Sequence, residues 1–566
     1  MSNKIPASKE LLSLPIIDRQ TWLRVVLLAV IVLVASSVPY GVGYLASTPE
    51  SQFGGIVVDR EDSESHLAKM QQGARGEWRY RLLFTPEEHQ GAYINTFYVG
   101  LGHLSRLSGL SLVATYQLAR LSCGFILLLT LYVFLRIFLR RKHHAWLAYI
   151  LAATSSGLGW AVLLLTGSFT LGGFSPIDFW VTDAYVFFSI LAFPHSTIAV
   201  ALLLITFLAV LICWERTSWR ALLVACLSFL ALCVVHPFSL LLVAIVLGVF
   251  WAVRSWRRRA LQVREAAALA VLVAVPLPLV LYISTALNSN PVFRSWSEQN
   301  ITMSDSPVYY LLGYGLVALL AVPGIVRAIR RGEESGLFPI VWVGVAALLL
   351  YAPFKLQRRM IEGFQVPLVV LAAQGLAGWL MPLVSSSRLA RRLARWGYPR
   401  RRLGQLAALL TLALAALSNV YLLTSLSLAA VSHDESMFYS RSEVRAIEWL
   451  AANSAPADTV LSSYIIGGYI PARIGHRVFW GHWCETADKQ EKELEVEAFF
   501  SARTPDERRR DILRRYGLAY VFYGPREKAL GDFDPAAAPY LERAFSADDV
   551  TIFRLTEGPG AFVGLR

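Results

Sequence analysis

The sequence predicts an all-α polytopic membrane protein of about eleven transmembrane helices with a small α/β domain at its C-terminal end. Three observations lead there. Of 566 residues, 55% are hydrophobic and only 16% are charged, whereas soluble chains carry roughly a quarter charged residues. Apolar runs such as "WLRVVLLAVIVLVASSVPY" and "LGQLAALLTLALAALSNVYLL" reach or approach the roughly 20 residues that cross a bilayer. The excess of Lys and Arg, a net charge of +13, collects in short loops between those runs. That pattern belongs to membrane topology and argues against a nucleic-acid partner.

Apolar length places spans near Trp22 to Tyr40, Leu121 to Leu139, Trp146 to Thr166, Ile198 to Trp214, Ala221 to Val235 and Phe238 to Val253. Five more are expected near Ala266 to Ile283, Tyr309 to Val326, Phe338 to Tyr351, Val366 to Leu380 and Leu403 to Ala429. The first run is too long and too late for a cleaved signal peptide, and it reads as a retained signal anchor. Lys4, Lys9, Arg19 and Arg24 put the N-terminus on the cytoplasmic side. The loops "LRRKHH", "WERTSWR", "RSWRRRALQVRE", "RAIRRGEE" and "SRLARRLARWGYPRRR" then fall inside as well.

An odd number of spans sends the polar part from residue 432 to the outside, with the long loop 46–110. The expected division is therefore a membrane domain, 1–431, and an extracytoplasmic α/β domain, 432–566. One outward loop, "FKLQRRMIEGFQ", carries Lys355, Arg358 and Arg359 on the side where basic residues are under-represented. A miscounted span, interfacial snorkelling or a site for an anionic head group would each account for it.

In the tail, "SEVRAIEWLAANS" has a capping serine and a helical rhythm, and "TPDERRRDILRRYG" reads as a second capped helix ending on glycine. "TVLSSY", "RVFWG", "LAYVFYGP" and "VTIFRL" read as strands, so helix and strand alternate as in an α/β unit. Of the five cysteines, four fall in apolar segments and Cys484 stands alone in the tail. No disulfide or zinc pattern emerges.

The loop 46–110 holds the residues with chemistry. Its acidic run "DREDSE" opens a helical pattern in which Leu67 and Met70 share a face, expected to lie along the membrane surface. Clustered carboxylates beside a low-dielectric boundary have raised proton affinity, which suits a general base drawing a proton from a hydroxyl. A solvated acidic loop is the plain alternative.

The order of features in this loop is an acidic pair past the first span, a short helix with a methionine, glycine and tryptophan, then "FTPEEHQGAY", "INTFYVGLGHLSRLSGLS" and an "ARL" entering the second span. It resembles the first external loop of the integral-membrane C-type (GT-C) glycosyltransferases, such as the polyprenyl-phosphate-sugar dependent mannosyl and arabinosyl transferases. The resemblance is clearest over residues 59–139. It implies a plasma-membrane enzyme that moves a sugar from a polyprenyl-phosphate donor to an extracytoplasmic acceptor, on a glycan, lipid or protein, in one inverting step. The family's acidic catalytic position falls on Asp62 or its neighbour Glu61. A departing phosphate needs positive charge, which gives Lys355, Arg358 and Arg359 a role.

Further residues follow the resemblance. Asp183 lies in the second external loop, where these enzymes often hold another acid for donor or acceptor. His195 and His236, each beside a proline at a span edge, are candidates to bond phosphate or sugar. Arg120 in "ARL" either meets the lipid phosphate or snorkels. His66 stands where an aromatic or alanine is commoner in the family, and it joins the substrate-binding candidates. The loop lacks the Asp-x-Asp metal signature of oligosaccharyltransferases, so no obligatory metal is expected, although Asp59 and Glu61 could bind a divalent ion.

Within enzymes, the alternative is a ligase that moves a preassembled glycan from a lipid pyrophosphate carrier. Outside them stand a transporter or lipid flippase, disfavoured by the scarcity of charge in mid-span, and a scaffold. The scaffold's tail would bind a wall polymer through "GYIPARIGHRVFWGHWCET".

Overall fold

The computed structural model describes residues 17–170, 173, 175–332 and 334–556; Lys4 and Lys9 lie outside them. Among these residues eight helices are long and apolar enough to cross a membrane, and a ninth span forms if the bent pair Lys142–Thr154 and Gly159–Thr166 counts as one. The spans expected near Ala221 and Phe338 are the shorter apolar helices Trp219–Val235 and Gly336–Leu349. The result is a multi-pass helical membrane protein with small sheets.

Lipid is the solvent its surface requires. On the Arg19–Ala46 helix, Leu23, Leu27, Val30, Ile31, Val34 and Val38 form an exposed stripe, and the Leu277–Ser289 helix buries none of its residues. Exposed apolar area of that extent is unfavourable in water and neutral in hydrocarbon.

The chain divides into two compact units. The first comprises residues up to Val38, Arg120–Val280 and Thr302–Ser425 and holds most of the membrane helices. Its bent span turns by 53° at Ser155–Leu158, where the freed backbone groups find partners. The amides of Gly157 and Gly159 donate to Asp178 at 3.1 and 3.0 Å, Ser156 N donates to Ala415 O, and Leu158 N donates to Leu312 O. Irregular backbone at membrane depth needs such satisfaction. Gly157 is required there, because a Cβ would meet the Gly313 carbonyl oxygen at 2.1 Å.

The second unit comprises Pro39–Ala119, Leu281–Ile301 and the residues from Leu426 onward, so the loop 46–110 and the tail fold together. Strand β1 (Ser51–Phe53) pairs antiparallel with β2 (Phe438–Ser440). Strands β3 (Thr459–Leu461), β4 (Leu518–Tyr523), β5 (Leu541–Ala547) and β6 (Val550–Leu555) make a sheet of order β3-β4-β6-β5, parallel between β3 and β4 and antiparallel elsewhere.

Three details differ from expectation. "RVFWG" contributes a single bridge, Val460 to Val478, rather than a strand. Ser440, two residues before the serine of "SEVR", caps the Arg441–Asn453 helix in a full capping box with Glu443. The Asp506–Arg515 helix starts after Pro505 without a side-chain cap.

The helix Arg60–Ala74 is largely enclosed by protein. It buries Ser63, Glu64, Ser65, Leu67, Ala68, Lys69 and Met70, and its polar members can be buried because each is paired. Lys69 and Ser65 bind Glu485 Oε1 at 2.8 Å each, and Tyr80 donates to Glu485 Oε2 at 2.5 Å. Its packing against the Thr96–Ser108 helix is close enough that a Cβ on Gly102 would sit 1.9 Å from the Met70 carbonyl oxygen.

Candidate functional site

In the second unit, the acidic run forms the first turn of the Arg60–Ala74 helix. Asp59 is its N-cap in the left-handed region, φ 46°, and its side chain accepts from Asp62 N at 3.4 Å. Carboxylates at a helix N-terminus face unpaired amides and the positive end of the dipole, so the chain tolerates three of them here. Glu61 accepts the Tyr464 hydroxyl at 2.8 Å. Asp62 Oδ1 accepts the Trp483 indole N–H at 3.1 Å and lies 3.3 Å from His482 Nε2.

The amides of Cys484 and Glu485 both donate to His482 Nδ1, at 3.2 and 3.1 Å. Nδ1 is therefore an acceptor, and the ring proton sits on Nε2, facing Asp62.

A cleft of about 360 Å3 opens beside these groups, lined by Asp59, Glu61, Ile56, Met437 and Trp483 among others. Asp59 is exposed as a residue, yet the protein crowded around its carboxyl, then repulsion from Asp62 and Glu61, raises it toward about 7. Stability that depends on a protonated Asp59 is fully present below the ordinary aspartate value of about 3.9 and is lost as pH rises through about 7. Asp59→Asn should therefore flatten the fall in melting temperature between about pH 4 and pH 7. Thermal melts in detergent check this, and an unchanged fall would contradict the raised carboxyl.

Two further residues of this helix have partners within the second unit. Glu64 is buried against Arg60 at 2.8 Å and the Tyr439 hydroxyl. His66 stacks on Tyr98 with ring centroids 4.0 Å apart.

In the first unit, a second cluster gathers around Asp183. Its Oδ1 accepts the Ser196 hydroxyl at 2.5 Å and its Oδ2 pairs with Arg359 Nη1 at 3.0 Å. His195 Nε2 lies 3.3 Å from Ser196 Oγ, and its ring meets that of His236 at 5.1 Å. His236 Nδ1 lies 2.6 Å from Glu362 Oε1, whose other oxygen accepts from Ser239 at 2.5 Å. Burial alone would raise the Asp183 carboxyl; Arg359 and the two imidazoles outweigh it and bring it to about 2. A carboxylate so firmly ionised is a poor base and a good anchor for a guanidinium.

Arg358 differs from Arg359. Its guanidinium stacks on Trp180, 4.5 Å from the ring centroid, with the charge of Asp305 nearby. Among the described residues it donates no side-chain hydrogen bond. Lys355 is exposed on the same segment, its carbonyl accepting from Thr302 N. Arg120 stands apart in the helix packing, 1% exposed, and donates to Ser36, Ser37 and the Ile190 carbonyl. It is thus neither a snorkelling residue nor part of the Asp183 cluster.

The structure therefore groups Asp62 with Glu61, and Asp183 with Arg359, His195 and His236. Sequence reasoning had no signal for Glu362, Ser196 or Trp180. It noted Asp59 only as a metal candidate and His482 and Trp483 only as part of an aromatic tail segment.

No family model matches this sequence, and no curated protein matches it either. Solved structures do resemble it. ArnT from Cupriavidus metallidurans bound to undecaprenyl phosphate superposes with a TM-score of 0.53 at 14% identity, over 95% of this chain and 98% of ArnT. The chain has the GT-C fold. The Archaeoglobus fulgidus oligosaccharyltransferase tethered to an acceptor peptide also resembles it, with a TM-score of 0.50 at 14% identity over 88% of this chain and 69% of that one.

Proposed function

We propose that this GT-C chain is a membrane glycosyltransferase that moves a sugar from a polyprenyl-phosphate donor to an extracytoplasmic acceptor hydroxyl by inversion in one step. Its N-terminus is cytoplasmic, and its second unit faces outward from a plasma membrane. What carries the reading is the Arg358 guanidinium, stacked on Trp180 and without a side-chain acceptor among the described residues, next to the satisfied Asp183–Arg359 pair. Such a fork fits two phosphate oxygens. The undecaprenyl phosphate bound to ArnT is a ligand of that chemistry.

The roles divide between the units. Asp62, oriented by Trp483 and His482, takes the acceptor proton. The acceptor oxygen attacks the anomeric carbon. The bond from that carbon to the phosphate oxygen breaks, and its electron pair leaves on the phosphate, whose charge Arg358 stabilises. No covalent enzyme intermediate forms. Asp183 acts as a positioning residue for Arg359.

The likeness to the oligosaccharyltransferase supports a second reading, transfer of a preassembled glycan from a lipid pyrophosphate. The donors decide between the two: purified chain in proteoliposomes should transfer label from a polyprenyl-phosphate monosaccharide and not from a pyrophosphate-linked glycan. For the phosphate site, Arg358→Gln should weaken undecaprenyl phosphate binding by about 10 to 100-fold, the range for a lost charge-assisted hydrogen bond. Equal affinity in the variant would refute it.

A further inference from the structure

A second basic cluster in the first unit has no part in that scheme. Arg140 and Arg141, which follow the Leu112–Phe138 helix, and Arg327 and Arg331, in the last turns of the Pro307–Arg331 helix, line one pocket of about 150 Å3 together with His144 and Gln374. Arg327 donates to the Gly378 carbonyl at 3.2 Å. Among the described residues no carboxylate pairs with any of the four arginines, and the Gln374 amide has no hydrogen-bond partner.

The general preference for basic residues in one set of loops does not explain this arrangement, because exposed loop arginines separate into water. Another helix end in the same unit is built differently: Arg254 and Arg258 are neutralised by Glu215 and Glu265. Here the cations share a concavity, and among the described residues no carboxylate pairs with them.

The backbone makes room for them. The Leu376–Leu380 segment is a π-helical turn, a widening frequent at functional sites. It presents the Gly378 carbonyl, and a Cβ at Gly378 would come within 2.9 Å of Arg327 Nη1.

The place of the pocket is also informative. The Pro307–Arg331 segment, which is helical on both sides of a break at Gly315 (φ 41°), begins two residues after Asp305, whose charge acts on Arg358, and ends in the pocket. The segment is long and apolar enough to cross a membrane, so the pocket and Asp305 lie at its two ends.

We propose that this pocket binds a phosphate-bearing anion, at the face of the membrane opposite Arg358 and Arg359. Its fork geometry suits phosphate oxygens, and its position at the helix ends suits the head group of an anionic lipid. The proposal does not depend on the transfer reaction, and none of its residues belongs to the Asp62 or Asp183 clusters.

The full chain in nanodiscs of equimolar phosphatidylcholine and phosphatidylglycerol, released into native mass spectrometry, tests it. Wild type should retain phosphatidylglycerol in preference to phosphatidylcholine. Arg141→Gln combined with Arg331→Gln should lower that retention by about 25-fold, at about fivefold per cation. Arg391→Gln combined with Arg392→Gln, which removes the same charge from another basic helix, should leave it unchanged. Gln374→Leu keeps every charge and should weaken retention a few-fold, which preserves the test if the double variant does not fold. Displacement of the lipid by inorganic phosphate, against chloride at equal ionic strength, assigns the site to free phosphate; persistence of the lipid assigns it to the head group. Equal loss in the pocket and control variants, or no preference in wild type, overturns the proposal.

Discussion

Arg359→Ala is expected to lower stability by about 3 to 5 kcal/mol, the usual cost of removing one partner of a buried ion pair. It should also reduce transfer by more than the loss of Arg358 alone. The reason lies in Asp183, whose side chain is 9% exposed and which would keep its charge with only Ser196 and the imidazoles for company. Two further variants separate stability from function. Asp183→Asn in the Arg359→Ala background removes the stranded charge and should recover most of the melting temperature, because neighbouring substitutions couple. It should not recover transfer. Thermal melts and transfer rates on the same preparations check both halves, and recovery of transfer would show that Arg359 acts through stability alone.

Asp62→Asn is the second large effect. The amide is nearly isosteric, and its oxygen can still accept from the Trp483 indole, so the melting temperature should hold. Transfer should fall by about 10² to 10⁴-fold, the contribution of a positioned base, with substrate affinity little changed. Unchanged turnover would end the base assignment. Asp59→Asn serves as the comparison, since it should shift the pH dependence of transfer and keep most of the rate.

The class of fold was legible because a bilayer imposes a length on every crossing helix. All of the expected spans correspond to apolar helices, two of them short of a full crossing. Boundaries were less legible, since ends are set by caps and breaks. The turn at Ser155–Leu158 depends on Asp178 receiving two amides from 19 and 21 residues away, and no local pattern announces that.

The candidate sites divide along the same line. Asp62 and Glu61 stand out in the sequence because four acids crowd the start of one helical pattern. Their partners do not, because Trp483 is 421 residues from Asp62 and Tyr464 is 403 from Glu61. Arg358 and Arg359 are adjacent and look equivalent as letters, yet one is tied to Asp183 and the other stacks on Trp180. Only packing separates their roles.

Composition and apolar spacing thus settled the solvent, the helical class and the segments rich in charge, because these are properties of residues taken singly or at short range. Which carboxylate is crowded toward neutrality, which is held ionised and which guanidinium is left open were decided in three dimensions. Proton affinity and hydrogen-bond satisfaction depend on distance, burial and opposing charge, and folding alone brings those together.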